Sequence, residues 1–203
     1  MKRVIAYIDG FNLYFGLRAK GWKRFYWLDL RQVVLHLLKP DQTLAAIKYF
    51  TSIVTSPPDK NRRQATFLEA LTTLPDFHIH HGHYLADTIT CRHCGYTYTA
   101  HHEKMTDVNI AVELLSDAFE DQFDVALLIS ADSDLVGLVQ RVRHLFPSKR
   151  VVVVFPPARH SNALRNVANA CLHLDRATLA RSVFPDEIIK PDGFTLRRPA
   201  KWR

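Results

Sequence analysis

Four aspartates of this 203-residue chain occupy positions that would suit a hydrolytic metal site, although they are far apart in sequence. Asp9 ends a short apolar run, and Asp107 begins an amphipathic segment. Asp132 and Asp134 closely follow a second apolar run, residues 125–129. Clustered carboxylates repel one another unless a cation binds them, and their hard oxygen ligands suit Mg²⁺ or Mn²⁺. The four residues therefore predict a metal site that acts on a polyanionic substrate.

The segments that must position these aspartates alternate between strand and helix patterns, which predicts an α/β sandwich with a mostly parallel sheet. The expected strands are residues 4–9, 46–54, 77–85, 123–130 and 150–155. The expected helices are residues 29–38, a helix that starts at Pro57-Pro58-Asp59, and residues 107–119, 135–146 and 161–170, the last with Ser161 as its expected N-cap. In an open parallel sheet, residues just past the carboxyl ends of adjacent strands converge on one crevice.

The helix predicted over residues 107–119 has Thr106 as its expected N-cap. Its expected buried face consists of five apolar residues: Val108, Ala111, Val112, Leu115 and Phe119. Helix capping is the alternative role for each aspartate, because helix N-termini favour short acidic side chains. For Asp134 alone we favour capping. An acid at a strand-to-helix turn recurs at Asp9-Gly10-Phe11-Asn12, and this recurrence favours a shared metal site.

The composition is that of a globular protein with a basic surface. The formal net charge is +7, and such a charge favours an acidic partner, most often nucleic acid. No apolar run reaches the ~18 residues of a membrane span, so we expect no membrane association. Met1-Lys2-Arg3 leads directly into a strand without a signal-peptide layout, so we expect a cytoplasmic protein. Three cysteines do not suggest a disulfide framework.

Three motifs of the chain resemble those of the NYN domain family. They are Tyr7-Ile8-Asp9-Gly10-Phe11-Asn12-Leu13, Glu103-Lys104-Met105-Thr106-Asp107-Val108 and Ser130-Ala131-Asp132-Ser133-Asp134-Leu135. The family belongs to the PIN-like nuclease superfamily and includes bacterial LabA-like proteins. The resemblance covers residues 3–175, and it implies a Rossmann-like α/β/α fold and metal-dependent RNA cleavage.

The resemblance also implies which residues form the site. The acidic positions of the family correspond to Asp9, Asp107, Asp132 and Asp134, its asparagine to Asn12, and a small polar position to Ser130. We expect Asp9 and Asp132 to bind Mg²⁺ or Mn²⁺ directly, and the other two acids to bind it directly or through water. Asn12 would hold Asp9 in position or bind substrate. Lys104 would neutralise the phosphate or the pocket, or be an ordinary exposed lysine.

A second metal motif lies in the predicted ribbon insertion, residues 86–104. Cys91-Arg92-His93-Cys94-Gly95 has the form of a zinc knuckle, which needs two further ligands. His101 and His102 follow it closely, and a Cys₂His₂ site of Cys91, Cys94, His101 and His102 would hold one structural Zn²⁺. Other histidines lie upstream of the pair, so the last two ligands stay open. The alternative is a pair of reduced thiols in a ribbon.

We divide the chain into a NYN/PIN-like domain, residues 1–175, and a C-terminal helix and basic tail, residues 176–203. The tail contributes +4 of the net charge, and it could be solvated, pack on the domain or bind nucleic acid. Aromatic and basic residues alternate in residues 20–27, where they could stack on unpaired bases or pack against one another.

The leading hypothesis is a metal-dependent endoribonuclease that acts on single-stranded or looped RNA. The first alternative is a non-cleaving RNA-binding or regulatory module of the same fold. The second is a hydrolase of small phosphoesters. The net charge favours a polymer, and the four acids favour cleavage. The sequence predicts neither the RNA target nor the oligomeric state.

Overall fold

The computed structural model describes the backbone of all 203 residues and the side chains of residues 1–82, 89–98 and 105–203. The main strands are β1 (Lys2–Asp9), β2 (Gln42–Ser52), β3 (Phe77–Thr90), β4 (Thr97–Lys104), β5 (Val125–Ile129), β6 (Arg150–Phe155) and β7 (Ala170–His173). They form one sheet in the order β4-β3-β2-β1-β5-β6-β7. Six strands are parallel, and β4 pairs antiparallel with β3.

Helices cover both faces of this sheet. They are α1 (Gly10–Ala19), α2 (Leu30–Leu35), α3 (Pro58–Leu71), α4 (Thr106–Phe119), α5 (Val136–Leu145), α6 (Asn162–Val167) and α7 (Arg176–Arg181). Two separate hydrophobic clusters fill the space between the layers: α1, α2, α3 and α7 pack into one, and α4, α5 and α6 pack into the other. The predicted three-layer α/β/α fold with a mostly parallel sheet is confirmed.

The central strand β1 shows why the chain forms three layers. Its side chains are buried on both faces, as a central parallel strand requires. Val4, Ala6 and Ile8 enter the first cluster, whereas Ile5 and Tyr7 enter the second. This alternation follows from the two-residue period of a strand. The strand therefore fixes where its last residue, Asp9, lies between the two helical layers.

Helix α4 differs from its sequence-based prediction. Val108, Val112 and Phe119 were expected to be buried, but all three are exposed, Phe119 to 81%. The buried residues lie on another face of the helix, and they are Thr106, Ile110, Leu114, Asp117 and Ala118. The prediction was wrong because α4 has apolar residues on several faces, and polar contacts help to determine which face meets the sheet.

A buried polar cluster makes those contacts. Lys48 of β2 donates hydrogen bonds to Glu113 at 2.7 Å and to Asp117 at 2.9 Å. The hydroxyl of Tyr7 donates to Asp117 at 2.6 Å. Buried charges are tolerated when they are paired and hydrogen-bonded in this way. The cluster holds the middle of α4 against β1 and β2.

Two predicted helix caps have different outcomes. The hydroxyl of Ser161 accepts a hydrogen bond from the backbone N–H of Leu164, so its predicted N-cap role is confirmed. Thr106 is not the N-cap of α4, because Met105 occupies that position in a left-handed conformation with φ of 81°. The Thr106 hydroxyl is buried and has no hydrogen-bond partner among the described atoms.

The C-terminal tail packs on the domain and is not a solvated segment. It forms a hairpin of β8 (Glu187–Ile189) and β9 (Thr195–Arg197) and ends in a short 3₁₀ turn. Lys190 pairs with Glu69 at 2.9 Å, and Lys201 pairs with Asp59 at 3.0 Å. The guanidinium of Arg198 is buried and donates to the backbone carbonyls of Arg24 and Trp202.

Residues 20–27 form a turn that packs largely on itself and on the core. Phe25 and Trp27 are buried, and the indole N–H of Trp27 donates to the carbonyl of Pro185 at 2.8 Å. These two rings of the predicted stacking platform are therefore inaccessible, whereas Trp22 and Tyr26 are half-buried. In the described part of the chain, none of the helices has the length and apolar composition needed to cross a lipid bilayer.

Candidate metal centre

The three central aspartates lie at one edge of the sheet. Strand β1 lies between β2 and β5. The chain first adds β2, β3 and β4 on one side of β1, and it then adds β5, β6 and β7 on the other side. Asp9 is the last residue of β1, and Ser130 directly follows β5. Ligand sites of open α/β sheets form at this kind of reversal, outside the carboxyl ends of the strands.

Asp9 is held on both carboxylate oxygens. Its side chain is only 4% exposed. Oδ1 accepts a hydrogen bond of 2.9 Å from the backbone N–H of Asn12, and this contact caps α1. Oδ2 accepts a hydrogen bond of 3.0 Å from the hydroxyl of Ser130. A carboxylate has about four lone-pair positions, so these two bonds leave acceptor positions for a cation.

Further hydrogen bonds join the turn after β1 to the turn after β5. The side-chain oxygen of Asn12 accepts from the backbone N–H of Ala131 at 3.1 Å. The hydroxyl of Ser130 accepts from the backbone N–H of Asp132 at 3.1 Å. The side chains of Asn12 and Ser130 thus fix the separation of Asp9 and Asp132.

Capping and metal binding are compatible in this geometry. Oδ1 of Asp132 accepts from the backbone N–H of Asp134 at 3.0 Å and caps the short 3₁₀ turn that precedes α5. The prediction that Asp134 itself provides a cap was wrong, because Asp132 fills that role. Like Asp9, Asp132 caps its turn while its carboxylate still reaches the acidic group.

Asp107 completes that group from the first turn of α4. One carboxylate oxygen from each of Asp9, Asp107 and Asp132 lies within 4.8 Å of the other two. Among the described side chains, no lysine or arginine forms an ion pair with any of the three. Three hard oxygen ligands without a basic partner fit a divalent cation such as Mg²⁺ or Mn²⁺.

The same crowding changes the protonation of the acids. Burial raises the pKa of Asp9 to about 6; hydrogen bonds from Asn12 and Ser130 oppose this rise, and the charges of Asp107 and Asp132 add to it. Burial also raises the pKa of Asp107, with further contributions from the charges of Asp132 and Asp134. The ionised forms of Asp9 and Asp107 are therefore destabilised in this group. A bound cation would stabilise these ionised forms.

The two other charged residues predicted for the site, Asp134 and Lys104, have different outcomes. Asp134 is exposed and does not belong to the set of three carboxylates, although its charge acts on Asp107. The side chain of Lys104 lies outside the described residues, so its contact with a phosphate stays a prediction. Binding of a cation by Asp134, directly or through water, stays a prediction.

The cysteine pair occupies the turn between β3 and β4. Hydrogen bonds from the backbone N–H groups of Cys94 and His93 lower the pKa of the Cys91 thiol. Gly95 has φ of 70°, and its N–H donates to the carbonyl of Cys91 at 2.9 Å. The side chains of His101 and His102 lie outside the described residues, so the predicted zinc site stays a prediction.

Sequence reasoning missed a close contact directly beside Asp9. A Cβ atom on Gly10 would lie 2.5 Å from the hydroxyl oxygen of Tyr49 and 2.8 Å from the carbonyl oxygen of Phe50. Any larger residue would push β2 away from the start of α1. The Asp-Gly pair at the end of a strand was a visible signal, but its partner Tyr49 was not.

Comparison with known proteins identifies the family. The family model described as "NYN domain" matches residues 3–175, which is most of the chain. The chain belongs to the NYN domain family. The NYN family is one of PIN-like nucleases, and the cluster of three aspartates agrees with that relationship.

Two individual proteins are similar to this NYN chain. The 6-hydroxy-3-succinoylpyridine 3-monooxygenase HspA of Pseudomonas putida (strain DSM 28022 / S16) is 28% identical over 189 residues, and the match covers 76% of this chain and 59% of HspA. The chain thus spans less than two thirds of that relative. A crystal structure of a protein of unknown function from Vibrio parahaemolyticus RIMD 2210633 has a TM-score of 0.58 at 20% identity. That match covers 86% of this chain and 94% of the other, and it shows the shared fold.

Proposed function

We propose that this protein is a metal-dependent endoribonuclease. One observation carries the proposal: three carboxylates from β1, α4 and the turn after β5 meet within 4.8 Å without a basic partner among the described residues. Asp9 is buried and the other two acids are partly buried, and a bound cation would offset the cost of holding these charges together. Membership in a family of PIN-like nucleases supports hydrolysis of a phosphodiester as the use of that cation.

Asp9, Asp107 and Asp132 would hold Mg²⁺ or Mn²⁺. A divalent cation supplies stabilisation of the negative charge that develops on a phosphodiester during hydrolysis, and it activates water as the nucleophile. Ser130 and Asn12 keep Asp9 and Asp132 at a fixed separation through their hydrogen bonds. These two residues act as positioning residues.

Lys104 and Asp134 have outer roles in this proposal. Asp134 is exposed at the mouth of the acidic group, where it would orient water molecules. Lys104 precedes α4 by only two residues, and we propose that it contacts the phosphate of the substrate. Its charge would compensate part of the repulsion between the phosphate and the three aspartates.

RNA is the proposed substrate because the protein is basic outside its acidic site. The net charge of +7 attracts a polyanion, and NYN domains generally act on RNA. Single-stranded or looped RNA fits better than a duplex, because only unpaired strands bend freely into a crevice at a sheet edge. We also propose that the protein acts in the cytoplasm. The same proposal includes one structural Zn²⁺ bound by Cys91, Cys94 and two further ligands.

The decisive experiment incubates the pure protein with a panel of labelled single-stranded, looped and double-stranded RNAs. Mn²⁺ and Mg²⁺ are each added or replaced by a chelator, and Asp132→Asn is run in parallel. Cleavage that needs both the metal and Asp132 supports the proposal. Tight binding without cleavage would establish the non-cleaving module instead, and hydrolysis limited to mononucleotides would establish a small-phosphoester hydrolase.

A second candidate is oxygenation of an aromatic ring, the activity named for the Pseudomonas relative. The observation that favours it is a cavity of about 210 Å³ beside the acidic site, whose lining includes several aromatic residues. The test adds 6-hydroxy-3-succinoylpyridine, O₂ and a two-electron reductant to the metal-loaded protein. Because position 3 already carries the succinoyl group, mass spectrometry would look for a dihydroxypyridine in which a hydroxyl has replaced that group and for the released four-carbon side chain, while the second oxygen atom leaves as water. We rank this candidate second because the two chains are only 28% identical.

A further inference from the structure

The aromatic cavity lies between α1, the end of β2, α3 and the last turn of the chain. Its volume is about 210 Å³. None of the three clustered aspartates lines it. The aromatic residues in its walls are Phe11, Tyr14, Phe15, Phe25, Tyr26, Tyr49, Phe67 and Trp202.

The dimensions of this cavity suit a single flat ring system. An apolar cavity of ~150 Å³ holds benzene, so 210 Å³ has room for a ring with polar substituents. The ring centroids of Tyr14 and Tyr26 are 5.0 Å apart, and those of Tyr26 and Trp202 are 5.9 Å apart. Rings at these separations offer both faces and edges for stacking.

The cavity and the acidic group share one short segment of backbone. Gly10 lines the cavity and directly follows Asp9. Tyr49 forms part of the cavity wall, and its hydroxyl is so close to Gly10 that no side chain fits between them. A ligand ring in the cavity would therefore lie next to the backbone that carries Asp9, one of the three clustered carboxylates.

Positive charges surround the exposed side of the cavity. Arg18 and Lys60 are exposed lining residues, and neither forms an ion pair with a described side chain. Arg63 also lines the cavity and pairs with Asp59 at 2.7 Å. These cations favour a ligand whose ring carries an anionic group that stays near the surface.

The end of the chain forms one wall. Trp202 lies in the final 3₁₀ turn, and its ring contacts Tyr26, Trp27 and Phe67. The backbone carbonyl of Trp202 accepts a hydrogen bond from Arg198, and the Lys201 ammonium pairs with Asp59. These contacts hold the indole in place before any ligand arrives.

From these contacts we infer that the cavity binds one unpaired nucleobase of the RNA, next to the phosphodiester that is cleaved. The base would stack against Tyr26 and Trp202, and Arg18 and Lys60 would contact the attached phosphate. This inference rests on the proposed ribonuclease function, since it assigns the position of the substrate beside the same site. A flanking base held here sets which bond of the strand reaches the aspartates.

Calorimetric titration of the whole protein in chelator tests the inference without cleavage. The probes are the four nucleoside 5′-monophosphates, ribose 5-phosphate and a pyridine carboxylate. We expect at least one nucleotide to bind more tightly than ribose 5-phosphate. Trp202→Ala should weaken that binding about 5- to 150-fold, the usual range for loss of one stacked base, whereas Trp202→Phe should largely retain it. Phe119→Ala removes an exposed ring on the far side of α4 and should change nothing.

Each outcome decides the inference separately from the proposed function. Ribose 5-phosphate that binds as tightly as every nucleotide would overturn it, as would unchanged nucleotide binding in both Trp202→Ala and Tyr26→Leu. If the pyridine carboxylate binds and no nucleotide binds, the cavity is assigned to small aromatic acids. That result would also overturn the inference. Melting temperatures of the variants show that they are folded. Nucleotide binding by a protein that cleaves no RNA would support the cavity assignment while contradicting the ribonuclease proposal.

Discussion

The hydroxyl of Ser130 donates a hydrogen bond of 3.0 Å to the carboxylate of Asp9, across 121 residues of sequence. The same hydroxyl accepts from the backbone N–H of Asp132. One buried side chain therefore connects the carboxylate of Asp9 to the backbone of Asp132. The geometry of the site thus depends on Ser130 as well as on its acids.

Ser130→Ala should lower the apparent affinity for Mn²⁺ about 10- to 100-fold, which is the usual effect of removing a partner that orients a metal ligand. It should leave the fold intact, because only one hydroxyl is removed. Titration of Mn²⁺ by calorimetry measures the change. Ser133→Ala is the matched control, since Ser133 is exposed in the same turn. Equal affinities of the two variants would contradict the role given to Ser130.

Replacing a clustered acid should separate activity from stability. Asp9→Asn and Asp132→Asn should each abolish metal-dependent RNA cleavage, because each removes a ligand charge. Both variants should melt at a higher temperature than the unmodified protein in chelator, since one repulsive charge is gone. Asp134→Asn should keep part of the activity, because Asp134 is outside the group of three. Full cleavage by either clustered variant would refute the site.

The raised pKa of Asp9 predicts a dependence of stability on pH. The carboxyl has a pKa of about 6 in the folded protein and about 4 in an unfolded chain. The folded state therefore binds more protons between these values, so stability falls as pH rises from about 4 to about 6. The difference between these two pKa values corresponds to roughly 3 kcal/mol of stability.

Urea unfolding in chelator at several pH values measures this effect. The free energy of unfolding of Asp9→Asn, minus that of the unmodified protein, should increase across this window and be constant above it. Mn²⁺ should bind more weakly below about pH 6, because the cation competes with a proton. A difference that does not change with pH would show that Asp9 titrates normally.

Zinc is expected at about one ion per chain in protein purified under reducing conditions, if the pair Cys91 and Cys94 finds two further ligands. Elemental analysis provides the measurement. Cys91→Ser should release the ion without unfolding the sheet, because the pair lies at the tip of the β3–β4 hairpin. Cys171→Ser is the control, since Cys171 belongs to β7. Zinc-free protein would leave Cys91 and Cys94 as ordinary thiols.

The paired charges of the tail lead to a revised expectation for RNA binding. Binding should weaken steeply with salt, because cations of the protein displace counterions from phosphates. Deleting residues 190–203 should change that slope little, since most cations of the tail are already paired with acids. Lys190 and Lys201 pair with Glu69 and Asp59 of the domain, and Arg197 and Arg198 pair with Glu187 and Asp186 of the C-terminal segment itself. The deletion should instead lower the melting temperature, through loss of buried Leu196 and the Trp202 contacts. A markedly shallower slope at an unchanged melting temperature would contradict this expectation.

The sequence-based prediction was most accurate where the pattern of a segment fits one type of secondary structure. Strand β6 was predicted at its observed bounds, because a short and fully apolar run is typical of a buried parallel strand. The meeting of Asp9, Asp107 and Asp132 could be anticipated because parallel strands bring their carboxyl ends to one edge. Their catalytic roles are still predictions.

Other features depended on partners that are distant in sequence. The buried face of α4 was predicted wrongly because Lys48 and Tyr7 bind Asp117, and no local pattern shows that contact. The tail could not be placed from its charge, since the acids that pair with Lys190 and Lys201 lie in α3. The cavity could not be predicted from the sequence either, because its walls come from segments that are distant in the chain: α1, β2, α3 and Trp202.

The position of Trp202 has a practical consequence for how the protein is handled. Peptide joined to Arg203 would emerge beside the aromatic cavity, whereas peptide joined to Met1 would emerge at the opposite edge of the sheet, because β1 runs from there towards Asp9. An affinity tag should therefore be fused at the N-terminus for work on nucleotide binding. A C-terminal tag would compete with the tested ligands for space.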